Sequence, residues 1–395
     1  MASSWALNPP AGIENTFDIT TSTDVRDVSD VLDAVYIADT PFINKIGYGS
    51  AASNKIIEWI TDSIGYGYLI LSNGGAVASD ASAFVVGTSG TGAQSTALRQ
   101  IHTGSILKYD NQSAALGYMI VEDLSIGAGS VTFDYMSGTT VGETITDAAT
   151  LFIVGNAVPE GSAARDDTTR PRQIQSNKTQ IFRKDVRITG TRQATEMYAV
   201  GNELRHQIEL RTKEYKRELE RTALLGRKDT GSSVETQTMG GVFDFLRGQS
   251  GTHIDSTNTA LTEARLNTVV KGVMEQGGVP DCVVCGFDRQ QDISSWDVAK
   301  KRTSQDTRIA GYYTTQYLTD LGPVLDVIVS RWVPKKYAFV LSASMIKLIP
   351  LRGRKFILEK LGKVGDYVEY QLLSECSLEF KGYNLGQHGM FSNLS

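Results

Sequence analysis

Apolar side chains recur at steps of three and four between Met197 and Ala223: Met197, Val200, Leu204, Ile208, Tyr215, Leu219 and Ala223, with one turn at 211–212 skipped. That spacing predicts a single long helix over 191–228 with its apolar residues on one narrow face. Gly190 breaks the strand-like segment before it, and Thr191 is placed to cap the first turn. Gly226 follows the last leucines, with Arg227 and Lys228 where the negative end of the helix dipole favours cations. Roughly 35 residues at 1.5 Å each make a rod about 50 Å long. Glu203, Arg205, Glu209, Arg211, Lys213, Glu214, Lys216, Arg217, Glu218, Glu220 and Arg221 cover its other faces. Glu209–Lys213, Glu214–Arg217 and Glu218–Arg221 are spaced to pair. A thin seam on a charged rod suits a helix laid across a surface. The stripe ends after about four heptads and is interrupted at Arg211, which does not suit a long coiled coil.

The remaining pattern divides the chain. Residues 1–22 are small and polar and predict an extended arm. Residues 24–38 place Val25, Val28, Val31, Leu32, Val35 and Tyr36 at helical spacing and stop near Thr40 and Pro41. Residues 54–61 (NKIIEWIT) read as an outgoing strand and 172–189 as an extended return. Between them the chain is rich in Gly, Ala, Ser and Thr. Strand candidates lie at 83–86, 105–109, 118–122, 130–135 and 151–154, most of them separated by glycine-containing turns. The expectation is a small all-β insert carried on an outgoing hairpin. A Gly/Ser/Thr-rich connection fills 229–258. From Leu261 helix and strand patterns alternate. A helix presents Leu266, Val269, Val270, Val273 and Met274, and DCVVCG reads as a buried strand. A helix at 287–299, a polar loop at 300–308 and strands at 326–330 and 337–342 follow. This is the texture of an α/β or α+β subdomain. KLIPL, KFILEKL, YVEYQLL and SLEFKGY read as terminal strands.

Composition narrows the function. The 395 residues allow two or three domains, and 38 glycines against nine prolines fit a turn-rich β architecture. A net charge of −5 does not suit a polycationic nucleic-acid binder. The first residues lack the basic and apolar regions of a signal peptide, and no run is long enough to span a membrane. Cys282, Cys285 and Cys376 form no disulfide framework and suit a reducing cytoplasm. Side chains three apart on a strand face opposite ways, so Cys282 and Cys285 read as core residues, not metal ligands. GTSGTG at 87–92 lacks the Lys-Ser/Thr ending of a phosphate loop. The four histidines are scattered, and no nucleophile, base and oxyanion donor come together. No enzyme, metal or cofactor is expected. Residues 192–228 hold nine Lys/Arg against six Glu, a surplus that allows weak, non-specific phosphate contact.

Several stretches then match a known pattern in order: NKIIEWITDSI, NAVPEG, SNKTQIFRKDVRITGTRQA leading into YAVGNELRHQIELRTKEYKRELERTALLG, TDLGPVLDVIVSRWVP before LIPLR, and GDYVEYQLLSECSLEFKGYNLGQHG. Over nearly its whole length the chain resembles tailed-bacteriophage major capsid proteins of the Hong Kong 97-like fold. More narrowly, it resembles a subfamily with a β domain inserted in the extended loop. The resemblance implies an α+β fold with an N-terminal arm and short helix (1–53) and an extended loop (54–190) bearing the insert at about 75–158. It implies a peripheral domain with the spine helix (191–258), an axial α/β domain (259–345), and peripheral strands (346–395). Trp59, Arg205, Arg211, Arg217, Arg221, Pro334, Arg352 and Glu375 are the candidates for inter-subunit or structural contacts.

The implied function is self-assembly, as pentamers and hexamers, into the icosahedral head shell around the double-stranded DNA of a tailed phage. The implied partners are other copies of the chain, a portal, separate scaffolding or decoration proteins, and packaged DNA in non-specific contact, with no membrane. The implied location is the virion, after synthesis in the bacterial cytoplasm. An encapsulin-like cellular shell and a basic-helix nucleic-acid-binding protein are the alternatives. An arm and a hairpin with little core of their own have to find partners on neighbours, and contacts that close on themselves give rings and shells.

Overall fold

The computed structural model describes residues 40–62, 67–71, 76–78, 81–86, 98–110, 116–125, 129–136, 144–146, 149–161, 172–195, 202–229, 236–296, 301–305, 312–363 and 365–395. The expected arm, the helix at 24–38, the 87–92 glycine loop, and Met197 and Val200 of the helical stripe lie outside these residues. The chain forms two compact units.

The larger unit holds Asp39–Ile181, Glu218–Lys355 and Ser374–Ser395. Its seven-stranded mixed sheet runs in the order Ile254–Asp255, Gly389–Phe391, Ala338–Leu341, Cys282–Cys285, Val324–Val329, Tyr312–Leu318, Lys301–Gln305. All four residues of Cys282–Cys285 are buried because this central strand is covered on both faces. Helix Glu263–Glu275 turns Leu266, Val269, Val270 and Val273 inward. Met274, expected on the same face, points outward and is 39% exposed. Helix Phe287–Ser295 is shorter than expected and contributes Ile293 to the same core. The expected polar loop at 300–308 is in part a strand. Lys301–Gln305 pairs antiparallel with Tyr312–Leu318 at the sheet edge, where a strand needs no apolar alternation.

The segment between the outgoing and returning strands folds as a six-stranded antiparallel sheet. Its order is Tyr68–Ile70, Thr150–Asn156, Ser105–Asp110, Leu116–Ser125, Ser130–Tyr135, Ala83–Val85. Leu69, Phe84, Leu107, Met119, Val121, Val131, Phe133 and Leu151 form one face of a core that is separate from that of the larger sheet. Sequence alternation finds five of these strands and misses Tyr68–Ile70, a three-residue edge piece.

The strands leading to and from this sheet, Ile56–Thr61 and Gln173–Lys178, pair with each other in an antiparallel ribbon. The return is not one extended segment but two strands, Gln173–Lys178 and Gln180–Thr189, parted at Thr179.

The smaller unit includes Phe182–Arg217 and Phe356–Leu373. Phe182 meets Tyr215 at 6.1 Å, and Tyr215 meets Phe356 at 5.5 Å, between ring centroids. Val186 and Ile188 are buried beside them on strand Gln180–Thr189. Ile357–Lys360 pairs with the first half of Tyr367–Phe380; the expected segment YVEYQLL and the first four residues of SLEFKGY are that one strand.

The long helix starts later than its spacing suggests. A short helix, Gly190–Ala194, is capped by Thr189 and not by Thr191: the Thr189 hydroxyl accepts from Arg192 N at 3.4 Å. Thr195 is extended, and the long helix is Glu203–Leu225. Its end is set at Gly226, where a Cβ would lie 2.4 Å from Thr222 O and 2.8 Å from Met239 O. Glycine is required there by close backbone approach, not by a left-handed turn.

Candidate functional site

Two buried polar side chains organise the larger unit, and no local sequence pattern marks either. Glu220, fully buried on the long helix, accepts Phe42 N at 3.0 Å and Ile43 N at 2.9 Å. It thereby supplies the N-terminal cap that Thr40 does not give helix Pro41–Ile46. Ser330 Oγ is a third donor at 3.3 Å. In sequence Glu220 is one charge among many, and no local spacing marks it.

Asn177 is the second. Its Nδ2 donates to Gly240 O at 3.1 Å and Leu378 O at 2.8 Å, while Oδ1 accepts Gly240 N and Lys178 N, each at 2.9 Å. A primary amide has two donors and two lone pairs, so this one is saturated. It ties the ribbon to the connection after the long helix and to the terminal strand.

The ribbon has two different faces. Ile57 and Trp59 point inward, and the Trp59 ring meets Phe245 edge-on at 6.2 Å. Ile56, Glu58 and Ile60 point outward. Ile60 lies directly opposite Ile174, and these two are 63% and 66% exposed. Other outward apolar residues occur among the described residues of this unit. Ile70, Phe152 and Val154 lie on the six-stranded sheet, away from its core. Leu318 and Val324 oppose each other beside Leu321 on a turn.

The remaining candidates separate into distinct settings. Glu375 is buried, accepts the Thr179 hydroxyl at 2.7 Å and forms an ion pair with Arg354 Nε at 3.1 Å. Arg352 is exposed, and its backbone N–H donates to Ala52 O at 2.8 Å. Pro334 starts a turn closed by Tyr337 N at 3.0 Å. Arg221 lies over the Trp332 ring at 4.9 Å. Arg205 pairs with Glu209 at 3.3 Å and Arg211 with Glu214 at 2.7 Å, all at the helix surface. Arg217 is half-buried on the same helix. These eight residues do not converge on one site.

The buried reactive groups are held inert. Burial pushes the Cys285 and Cys376 thiols up to about 12 and raises Cys282 as well, so they act as core residues. His388 Nε2 donates to Lys381 O at 2.8 Å and its Nδ1 accepts Ser342 N at 3.2 Å. That fixes a neutral ring, which burial holds down at about 4. Among the described residues no three His, Cys, Asp or Glu side chains gather to hold a metal. No described helix is long and apolar enough to cross a membrane.

Residues 12–395 match the model of the SU10 major capsid protein family. The major capsid protein of Escherichia phage Phieco32 is 28% identical over 289 residues, covering 60% of this chain and 81% of that one. The capsid of a native GTA particle has the same fold at TM-score 0.51 and 8% identity, over 99% of this chain and 100% of that one. The holo-SrpI encapsulin complex from Synechococcus elongatus PCC 7942 aligns over 56% of this chain and 76% of that one, at TM-score 0.41 and 12% identity. With a family match that leaves out only the first eleven residues, on a fold that a capsid subunit shares end to end, the chain belongs to the SU10 major capsid protein family.

Proposed function

We propose that this major capsid protein closes, through pentamers and hexamers, into the icosahedral head shell of a tailed phage. The shell encloses double-stranded DNA. The observation that carries the reading is the ribbon: it presents an apolar rung, Ile60 opposite Ile174, to solvent on a hairpin only two strands wide. A two-stranded ribbon is marginal alone, and an outward apolar rung marks a contact surface. Residues 54–190 are then the extended loop with its insert, 259–345 the axial domain, and 191–258 with 346–395 the peripheral domain. The 1–53 segment is the N-terminal arm and short helix. Such contacts are head-to-tail and close into rings, and many modest ones sum to a stable shell. A portal, and separate scaffolding or decoration proteins, complete the head. The subunits are made in the bacterial cytoplasm and end in the virion.

Negative-stain electron microscopy of the purified chain, with its mass in solution, tests this. Closed particles or five- and six-membered rings are expected. The double variant I60D/I174D should fold yet lose them, because two unpaired carboxylates would be buried in the contact. A monodisperse monomer of the unmodified chain under all conditions would remove the shell reading. Normal particles from the double variant would remove the ribbon from it.

A further inference from the structure

The described residues of the smaller unit carry the opposite charge to the chain. They hold eleven Lys and Arg against seven Asp and Glu, a surplus of four positive charges, within a chain of net −5. Three of these cations line one groove of about 470 Å³, between strand residues 185–189 and the start of the long helix: Arg187, Arg192 and Arg211. We infer that this groove binds phosphate groups of nucleic-acid backbone, which makes it the chain's contact with the packaged DNA. The inference rests on the capsid reading for its ligand, but not for its chemistry.

The arginines are set for this. The Arg187 guanidinium lies over the Tyr367 ring at 4.5 Å and donates through Nη2 to Glu369 Oε1 at 3.0 Å. Arg211 is held by Glu214 Oε2 at 2.7 Å through Nη1. A guanidinium has five N–H donors in a fixed fork, so each keeps donors for a second oxyanion. Arg192 is exposed and has no ion pair among the described residues. The two carboxylates in the lining are already engaged. Both oxygens of Asp185 accept from Arg183 Nε, at 3.0 and 2.9 Å, and Glu203 accepts from Gln207 at 2.7 Å. The lining residues include no aromatic ring on which a base would stack. The chemistry is that of phosphate contact without sequence reading.

The test is binding of a 30-base-pair duplex to the full-length chain by fluorescence anisotropy across a salt series. Each phosphate contact contributes about 0.9 to the slope of log affinity against log salt, so R187A/R192A/R211A should lower it by about 2 to 3. R192A, which breaks no ion pair among the described residues, should lower it by about 1. The control R205A/K360A/K363A removes equal charge from the same unit outside the groove and should lower it by well under 1. Equal loss in both triple variants, or no loss in the groove variants, overturns the assignment. Microscopy of the same samples reports shell formation separately. Absent particles with a groove-dependent slope would count against the shell and leave the groove standing.

Discussion

The two ends of the long helix use the same residue types for different purposes. Near its start, Arg205 with Glu209 and Arg211 with Glu214 pair at the surface. Such pairs contribute a few tenths of a kcal/mol, because water screens them and two long side chains must be held still. Near its end Glu220 has no exposure, and it satisfies two backbone N–H groups of another helix. Losing its carboxyl oxygens would leave those buried donors unpaired. The lesson is that a carboxylate's role follows from its solvent and its partners, not from its spacing along a charged helix.

The largest expected effect is at the buried end. Glu220→Ala should lower unfolding free energy by about 3 to 5 kcal/mol in a denaturant titration. Glu220→Gln, which keeps an acceptor oxygen, should recover part of it. A loss no greater than that of a surface pair would break the contrast.

The same contrast extends to a buried base. His388 is held at about 4 against an ordinary value of 6.5, so it is neutral in the fold and protonated more readily when unfolded. Its contribution to stability is fully present above 6.5 and is lost as pH falls through 4. His253, also lowered by burial, adds in the same direction. Denaturation midpoints followed from pH 7 to 4 should fall, and less steeply in His388→Gln. An equally steep fall in that variant would assign the acid sensitivity elsewhere. The smallest effect is at the exposed end: Arg205→Ala should change stability by less than about 0.5 kcal/mol. A larger loss would mean that the surface pair is not isolated.

Much of the fold was legible because it is written in apolar period. The stripe through Tyr215, Leu219 and Ala223 is buried as its spacing implies, and so are Leu266, Val269, Val270 and Val273. The run at 282–285 gives a central strand, and alternation finds most strands of the six-stranded sheet. What sequence missed is polar. Lys301–Gln305 reads as a loop because an edge strand can be all polar. Asn177 reaches Gly240 and Leu378, 63 and 201 residues away, and Glu220 reaches partners 110 to 178 residues away, and no local window contains such pairs. The break at Thr195 was hidden because the apolar stripe begins only at Met197 and leaves the residues before it unmarked. The groove arginines lie on three different elements, so their convergence is a property of the tertiary structure alone.

The six-stranded sheet is entered and left on adjacent strands. Its entry strand, Tyr68–Ile70, and its exit strand, Thr150–Asn156, are neighbours, with Tyr68 opposite Phe152. Adjacent strands lie about 5 Å apart, a gap that a two-residue turn closes. Excision of everything between them would leave two ends already in register for a hairpin. Deleting the sheet between Ile70 and Thr150 should therefore leave the path of the chain on either side unaltered.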